Sequence, residues 1–134
     1  MQGEFYIRAD ANEQIGTGHI MRCLAVAEAI KKYNIEVVFI VADKRSESFV
    51  TDKGFDTICL NTVWDNLDSE TEIIMKVLGE KNIKKLLIDD YFVTESYLKR
   101  LSTVTEIMYI DDMNDFIYPV STIIDCNFSF FFIC

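Results

Sequence analysis

The sequence predicts a doubly wound α/β domain, and three observations carry that prediction. Short β-branched runs alternate with stretches of helical periodicity along the chain. The run Ile35–Ala42 (IEVVFIVA) is apolar almost without a break, as a parallel strand covered on both faces must be. The residues that follow three of the strand segments are polar and acidic, which is where an open parallel sheet places its ligands.

The elements follow in order. Glu4–Ala9 reads as the first strand. His19–Tyr33 reads as a helix, with Ile20, Leu24, Ala27 and Ile30 near the 3.6-residue spacing. Ile35–Ala42 is the second strand. Ser46–Lys53 is a short helix, stopped by Gly54 just beyond its end. Phe55–Leu60 is the third strand. Asp68–Glu80 is helical, with Ile73, Ile74, Val77 and Leu78 on one side and Ser69 with Glu72 forming a capping box. Lys85–Asp89 is the fourth strand, and Thr94–Ser102 a helix capped by Thr94. Glu106–Ile110 is a fifth strand and Ser121–Ile124 a sixth. Strands separated by helices imply right-handed crossovers and one parallel sheet.

With 134 residues, the chain has the size of one domain. Half of it is hydrophobic, enough for a compact core. A net charge of −9 argues against a general nucleic-acid binder, which needs a basic face to release counterions. Neither a signal-peptide pattern nor a membrane-length apolar run is present, so the expectation is a cytoplasmic protein with no membrane partner. Cys23, Cys59, Cys126 and Cys134 make neither a CxxC pair nor a zinc spacing, and read as reduced, mostly buried thiols.

Residues 1–125 read as the domain; 126–134 read as an atypical tail. Phe128–Cys134 (FSFFFIC) lacks the alternation of a half-exposed strand. It reads as a truncation, with a buried last strand or an interface for a partner domain as the alternatives.

The chemistry-bearing residues collect at the predicted strand ends. The first strand runs into Arg8, Asp10 and Asn12, then Gly16-Thr17-Gly18-His19. The fourth runs into Asp89, Asp90 and Tyr91, and the fifth into Asp111 and Asp112. Glycine lets a loop bend sharply and a ligand approach the backbone. A helix beginning near His19 aims its free N–H groups and positive end at that space, where a phosphate or diphosphate would be stabilised. The dinucleotide fingerprint fails, because Met21 stands where its third glycine belongs, and no Walker A lysine is present.

His19 is the chain's single histidine. It is either a packed or capping residue, or a general base. A helix N-terminus disfavours an imidazolium, and a neutral ring can accept a proton from water. Asp10 is the carboxylate expected to orient it. Asp111 and Asp112 read as turn formers or caps. The rival arrangement is a magnesium site for phosphoryl transfer built from Asp10, Asp89, Asp90 and Asp111. A third reading is a non-catalytic interaction module that pairs the apolar tail with another chain.

IRADANEQIGTGHIMRCLAVAEAI (Ile7–Ile30) closely resembles the opening of the UDP-2,4-diacetamido-2,4,6-trideoxy-β-L-altropyranose hydrolases of pseudaminic acid biosynthesis. LLIDDYFVTESYLKRL (Leu86–Leu101) and MYIDDMND (Met108–Asp115) are similar to later blocks of that family. The resemblance covers roughly residues 4–120. It implies the N-terminal Rossmann-like half of a glycosyltransferase-B-like architecture. It implies release of UDP from the sugar by water attack at the anomeric carbon with inversion, with no metal and no cofactor. His19 matches the family's G-x-G-H histidine, which positions or activates the water. Gly16, Thr17 and Gly18 match the loop beside the diphosphate, and Asp10, Arg22, Asp90 and Tyr91 match positions near the sugar. The UDP-sugar is then the partner, and the family's C-terminal nucleotide-binding domain is the part expected to be absent. A lone half would keep the base but lose most of its grip on the donor, so little or no activity is expected of this chain by itself.

Overall fold

The computed structural model describes residues 3–111 and 122–125. Six strands form one parallel sheet: β1 (Glu4–Ala9), β2 (Glu36–Val41), β3 (Asp56–Cys59), β4 (Lys85–Asp89), β5 (Glu106–Asp111) and β6 (Thr122–Asp125). Their spatial order is β3-β2-β1-β4-β5-β6, and every neighbouring pair is parallel. This is the doubly wound, Rossmann-like arrangement expected from the sequence. The order reverses between β1 and β4, and that reversal opens a crevice at their carboxyl ends.

The helices are α1 (Gly18–Lys31), α2 (Lys44–Thr51), α3 (Thr71–Glu80) and α4 (Glu95–Ser102), with a 3₁₀ turn at Leu67–Glu70. They divide between the two sheet faces because strand side chains alternate. Ile7 and Ala9 of β1 pack with Ile20, Cys23, Leu24 and Ala27 of α1 and Val50 of α2. Ile40 of β2 and Leu86 and Ile88 of β4 pack on the opposite face with Ile74 and Leu78 of α3 and Leu98 and Leu101 of α4. Phe39 and Ile40, adjacent in β2, are both fully buried, so the apolar run of that strand serves both layers.

Three local expectations are corrected. The Ser69–Glu72 capping box does not form. Ser69 lies inside the 3₁₀ turn, and Asn66 caps that turn by accepting from the Ser69 amide at 3.3 Å. Ile73 does not share the buried side of α3 and is 44% exposed. Helix α2 begins earlier than its periodicity suggests, because the Asp43 carboxylate accepts from the Arg45 and Ser46 amides. Thr94 caps α4 as expected, accepting from the Tyr97 amide at 3.1 Å. Gly54 takes φ +89° beyond α2, a conformation that favours glycine.

Cys23 and Cys59 are free thiols, Cys23 buried and Cys59 partly so. Cys126, Cys134 and the whole apolar tail lie outside the described residues, as does Asp112. Among the described residues no helix is long and apolar enough to cross a membrane.

Candidate functional site

The crevice between the ends of β1 and β4 receives its residues from two segments far apart in sequence. After β1 the chain folds into a tight loop. The Asn12 side chain accepts from the amides of Gln14 and Ile15, and the Gly16 amide donates to the Asn12 carbonyl at 2.7 Å. Gly16 takes φ +77°, which a side chain at that position would oppose. Helix α1 then starts at Gly18 with no side-chain cap from Thr17 and no acidic residue in its first turn. Its own cap and first turn supply no group to offset the positive end, unlike those of α2 and α4. A Cβ built at Gly18 would meet nothing within 4 Å, so the fold itself does not demand glycine there. Beside this loop a groove of 360 Å³ is lined by Ala11, Asn12, Glu13, Gly16, Thr17, Arg45 and Phe49.

One helical step inward stands His19, 5% exposed. Its Nδ1 bonds to Oδ1 of Asp89, the last residue of β4. Asp89 is gripped a second time by Arg22, one turn along α1, with Nε to Oδ2 at 2.5 Å and Nη2 to Oδ1 at 2.7 Å. Cys23 Sγ lies 3.5 Å from Oδ2. Burial raises the Asp89 carboxyl, but the hydrogen bonds from Arg22 and His19 outweigh it and hold the group below its ordinary range. An ionised Asp89 fixes the proton of a neutral His19 ring on Nδ1 and leaves Nε2 as the acceptor. Nε2 is buried and has no hydrogen-bond partner among the described residues. The ring of Tyr91, itself 49% exposed, stands edge-on to the imidazole with centroids 4.0 Å apart.

Asp10 is therefore not the orienting carboxylate. It lies in a second buried cluster on the other side of the sheet. Arg8, fully buried, pairs with Asp10 at 2.9 Å and holds Glu70 with two bonds, Nε to Oε2 at 2.9 Å and Nη2 to Oε1 at 2.7 Å. Glu70 also accepts from the Tyr97 hydroxyl at 2.7 Å and from Thr62 at 3.2 Å. Asp10 Oδ1 accepts from the Ala42 amide at 2.8 Å. Burial opposes the Arg8 charge, yet Asp10 and Glu70 more than restore it, holding the guanidinium charged well above its ordinary range. Burial and then the Glu70 charge push the Tyr97 phenol well upward. Asp90 lies within reach of these charges, 6% exposed, its Oδ1 accepting from the Phe92 amide at 2.9 Å. Burial first, with Asp10 and Glu70 adding repulsion and Arg8 opposing, lifts its carboxyl to about 7.

Of the residues singled out in sequence, Gly16, Thr17, Gly18, His19, Arg22 and Tyr91 gather at the start of α1 or against His19, with Asp90 next in chain to both Asp89 and Tyr91. Asp10 does not join them by contact. Two pairings were missed. The sequence places Asp89 at the strand-end rim and among the possible metal ligands but not as the partner of His19, and Glu70 only within a helix. The alternation of β4 was the available signal for Asp89: Leu87 lies on the α1 face, so Asp89 must as well. Nothing local marks Glu70, whose partner is 62 residues away.

Two of the four carboxylates of the magnesium reading, Asp10 and Asp89, bind guanidinium groups on opposite sheet faces, and the Asp111 side chain lies outside the described residues. Set against protein-family models, curated proteins and solved structures, the chain matches none of them.

Proposed function

We propose that this chain carries the water-activating half of a nucleotide-sugar hydrolase, of the kind that releases UDP from a 2,4-diacetamido-2,4,6-trideoxy sugar. The observation that carries the reading is the state of His19: one ring nitrogen is locked to Asp89, and the other is buried and, among the described residues, unpartnered beside a helix start with no side-chain cap. A buried polar atom left unsatisfied is costly, and such atoms gather where a ligand completes them. The resemblance of Ile7–Ile30 to the hydrolase opening supplies the substrate class.

In this reading the diphosphate lies against the amides at Gly18–Ile20, where the α1 dipole stabilises negative charge. Water bonded to His19 Nε2 attacks the anomeric carbon. Its proton passes to Nε2 as the new C–O bond forms, and the bond from that carbon to the UDP oxygen breaks. Charge growing on the departing diphosphate is met by the same amides. Asp89 and Arg22 keep the ring oriented, and Asp89 stabilises the imidazolium that forms. The groove beside the loop brings the Arg45 guanidinium near the same approach.

The test joins residues 3–125 of this chain to the second half of a two-domain hydrolase of that family and follows UDP release. His19→Asn should lower turnover by about 10²–10⁴-fold, the usual range for a general base. Turnover unchanged in His19→Asn removes the imidazole from the reaction and the proposal with it.

A further inference from the structure

The buried cluster around Arg8 is unbalanced in charge. Two carboxylates, Asp10 and Glu70, contact a single guanidinium, and a third, Asp90, lies within its electrostatic reach. Glu70 takes the planar fork of Arg8, and Asp10 takes Nη1. Tyr97 and Thr62 donate to Glu70 as well, and Ala42 donates to Asp10. Asp90 is left with one backbone amide, that of Phe92, and no ion pair among the described residues. Nor does Asp90 have room to reach water freely, being 6% exposed. A carboxylate buried without a cation is strongly disfavoured, and the inexpensive remedy is to keep its proton.

We propose that Asp90 stands at the β4 end as a neutral carboxylic acid, and that its ionisation weakens binding of an anionic ligand at the α1 start by adding negative charge behind the crevice. The inference rests on the nucleotide-sugar reading for the identity of that ligand, but not for the proton. Asp90 sits in the chain between Asp89, which binds His19, and Tyr91, which packs on it. A charge arriving at Asp90 therefore adds to the negative potential of a crevice that would hold a diphosphate. The charged and titratable groups facing it come from each neighbouring element: Arg8 and Asp10 from β1 and its loop, Glu70 from the 3₁₀ turn and Tyr97 from α4. The carboxyl changes state near pH 7, inside the range an ordinary cytoplasm can reach.

Asp90 is a positioning group in this account, and a direct report of its proton exists in the unaltered chain. The Phe92 amide donates to Asp90 Oδ1, so its ¹⁵N shift and the Asp90 carboxyl ¹³C shift should titrate together, with a midpoint near neutrality. Midpoints below pH 5 for both overturn the proposal. UDP-N-acetylglucosamine, whose diphosphate diester does not titrate in this range, serves as the binding probe, followed through the Gly16–Ile20 amides. Its affinity for the unaltered chain should fall about tenfold between pH 6 and pH 8.5. Asp90→Asn removes the charge, so the low-pH affinity should persist across that range. The same decline in Asp90→Asn as in the unaltered chain overturns the proposal. A neutral midpoint with no binding of the probe at any pH supports the proton on Asp90 and rejects the nucleotide-sugar reading, which separates the two failures.

Discussion

Two buried charge clusters hang from the same pair of strands and face opposite ways. On the α1 side, Asp89 is held by His19 and Arg22, and among the described residues the second imidazole nitrogen has no hydrogen-bond partner. On the α3 and α4 side, Arg8, Glu70, Tyr97, Thr62 and Asp10 close on one another. Sequence neighbours feed both: Arg8 and Ala9 alternate across β1, as Ile88 and Asp89 do across β4. The second network is closed by charge pairing, with Asp10 Oδ2 held by Arg8 through charge and no hydrogen bond, whereas the first is open at a ring nitrogen. The comparison teaches that burial of charge alone does not mark chemistry; an atom able to take a proton and left with neither bond nor charge partner does.

The closed network should break hardest. Arg8→Met leaves Glu70 and Asp10 buried without their cation and should cost about 3–5 kcal/mol, read by urea unfolding. The triple change Arg8→Met, Glu70→Leu and Asp10→Asn should recover much of that loss, since apolar or neutral groups of similar volume often replace buried ion pairs at little cost. If the triple variant is as unstable as the single change, the network holds the fold by some means other than charge pairing.

The open network should break in function rather than in folding. In the two-domain chimaera, Asp89→Asn should lower UDP release by about 10²-fold or more, through loss of the correct tautomer and of the Arg22 anchor. Gly18→Ala should leave stability within about 1 kcal/mol, because the added Cβ meets nothing, yet weaken binding of a UDP-sugar by occupying the space before the amides. Equal binding by the Gly18→Ala protein would show that the ligand does not approach that backbone.

Acidity distinguishes the clusters next. The folded Asp90 carboxyl stands at about 7, while the unfolded one lies near ~3.9. Between those values the folded chain binds a proton that the unfolded chain does not. Its contribution therefore makes stability fall as pH rises from about 4 to about 7 and levels off above. Asp89 has the opposite sign. Its lowered carboxyl contributes stability above the ordinary carboxylate range, lost as pH falls through its folded value. Asp90→Asn should remove the decline toward neutrality and leave the acid-side loss in place, as thermal melts across pH would show. The smallest effect concerns caps: Asp43→Ala should cost about 1 kcal/mol, and Thr17→Ala less than about 0.5, because only Asp43 bonds to its helix.

Much of the fold was legible because periodicity is a local property. Each described strand and helix lies within a few residues of its expected place, and the apolar run of β2 marked a doubly covered strand. The loop residues Gly16–His19 were legible for the same reason, being consecutive. What sequence could not display was pairing across distance. Asp10 is nearer His19 in the chain than Asp89 is, yet β1 directs it to Arg8 and the Ala42 amide. Likewise Glu70 lies in a turn whose composition resembles any helix start, and only the crossover from β3 to β4 brings it to Arg8. Ser69 and Glu72 had the spacing of a capping box, but Asn66 reached the free amide first.

The bond between His19 and Asp89 spans 70 residues and bridges the first helix to the fourth strand. A nascent chain that has built only β1, α1 and β2 has the imidazole and no anion to meet it. Pairing of that ring consequently follows the docking of β4 against β1, and the ring's signal in a refolding experiment becomes a timer for completion of the sheet's central seam.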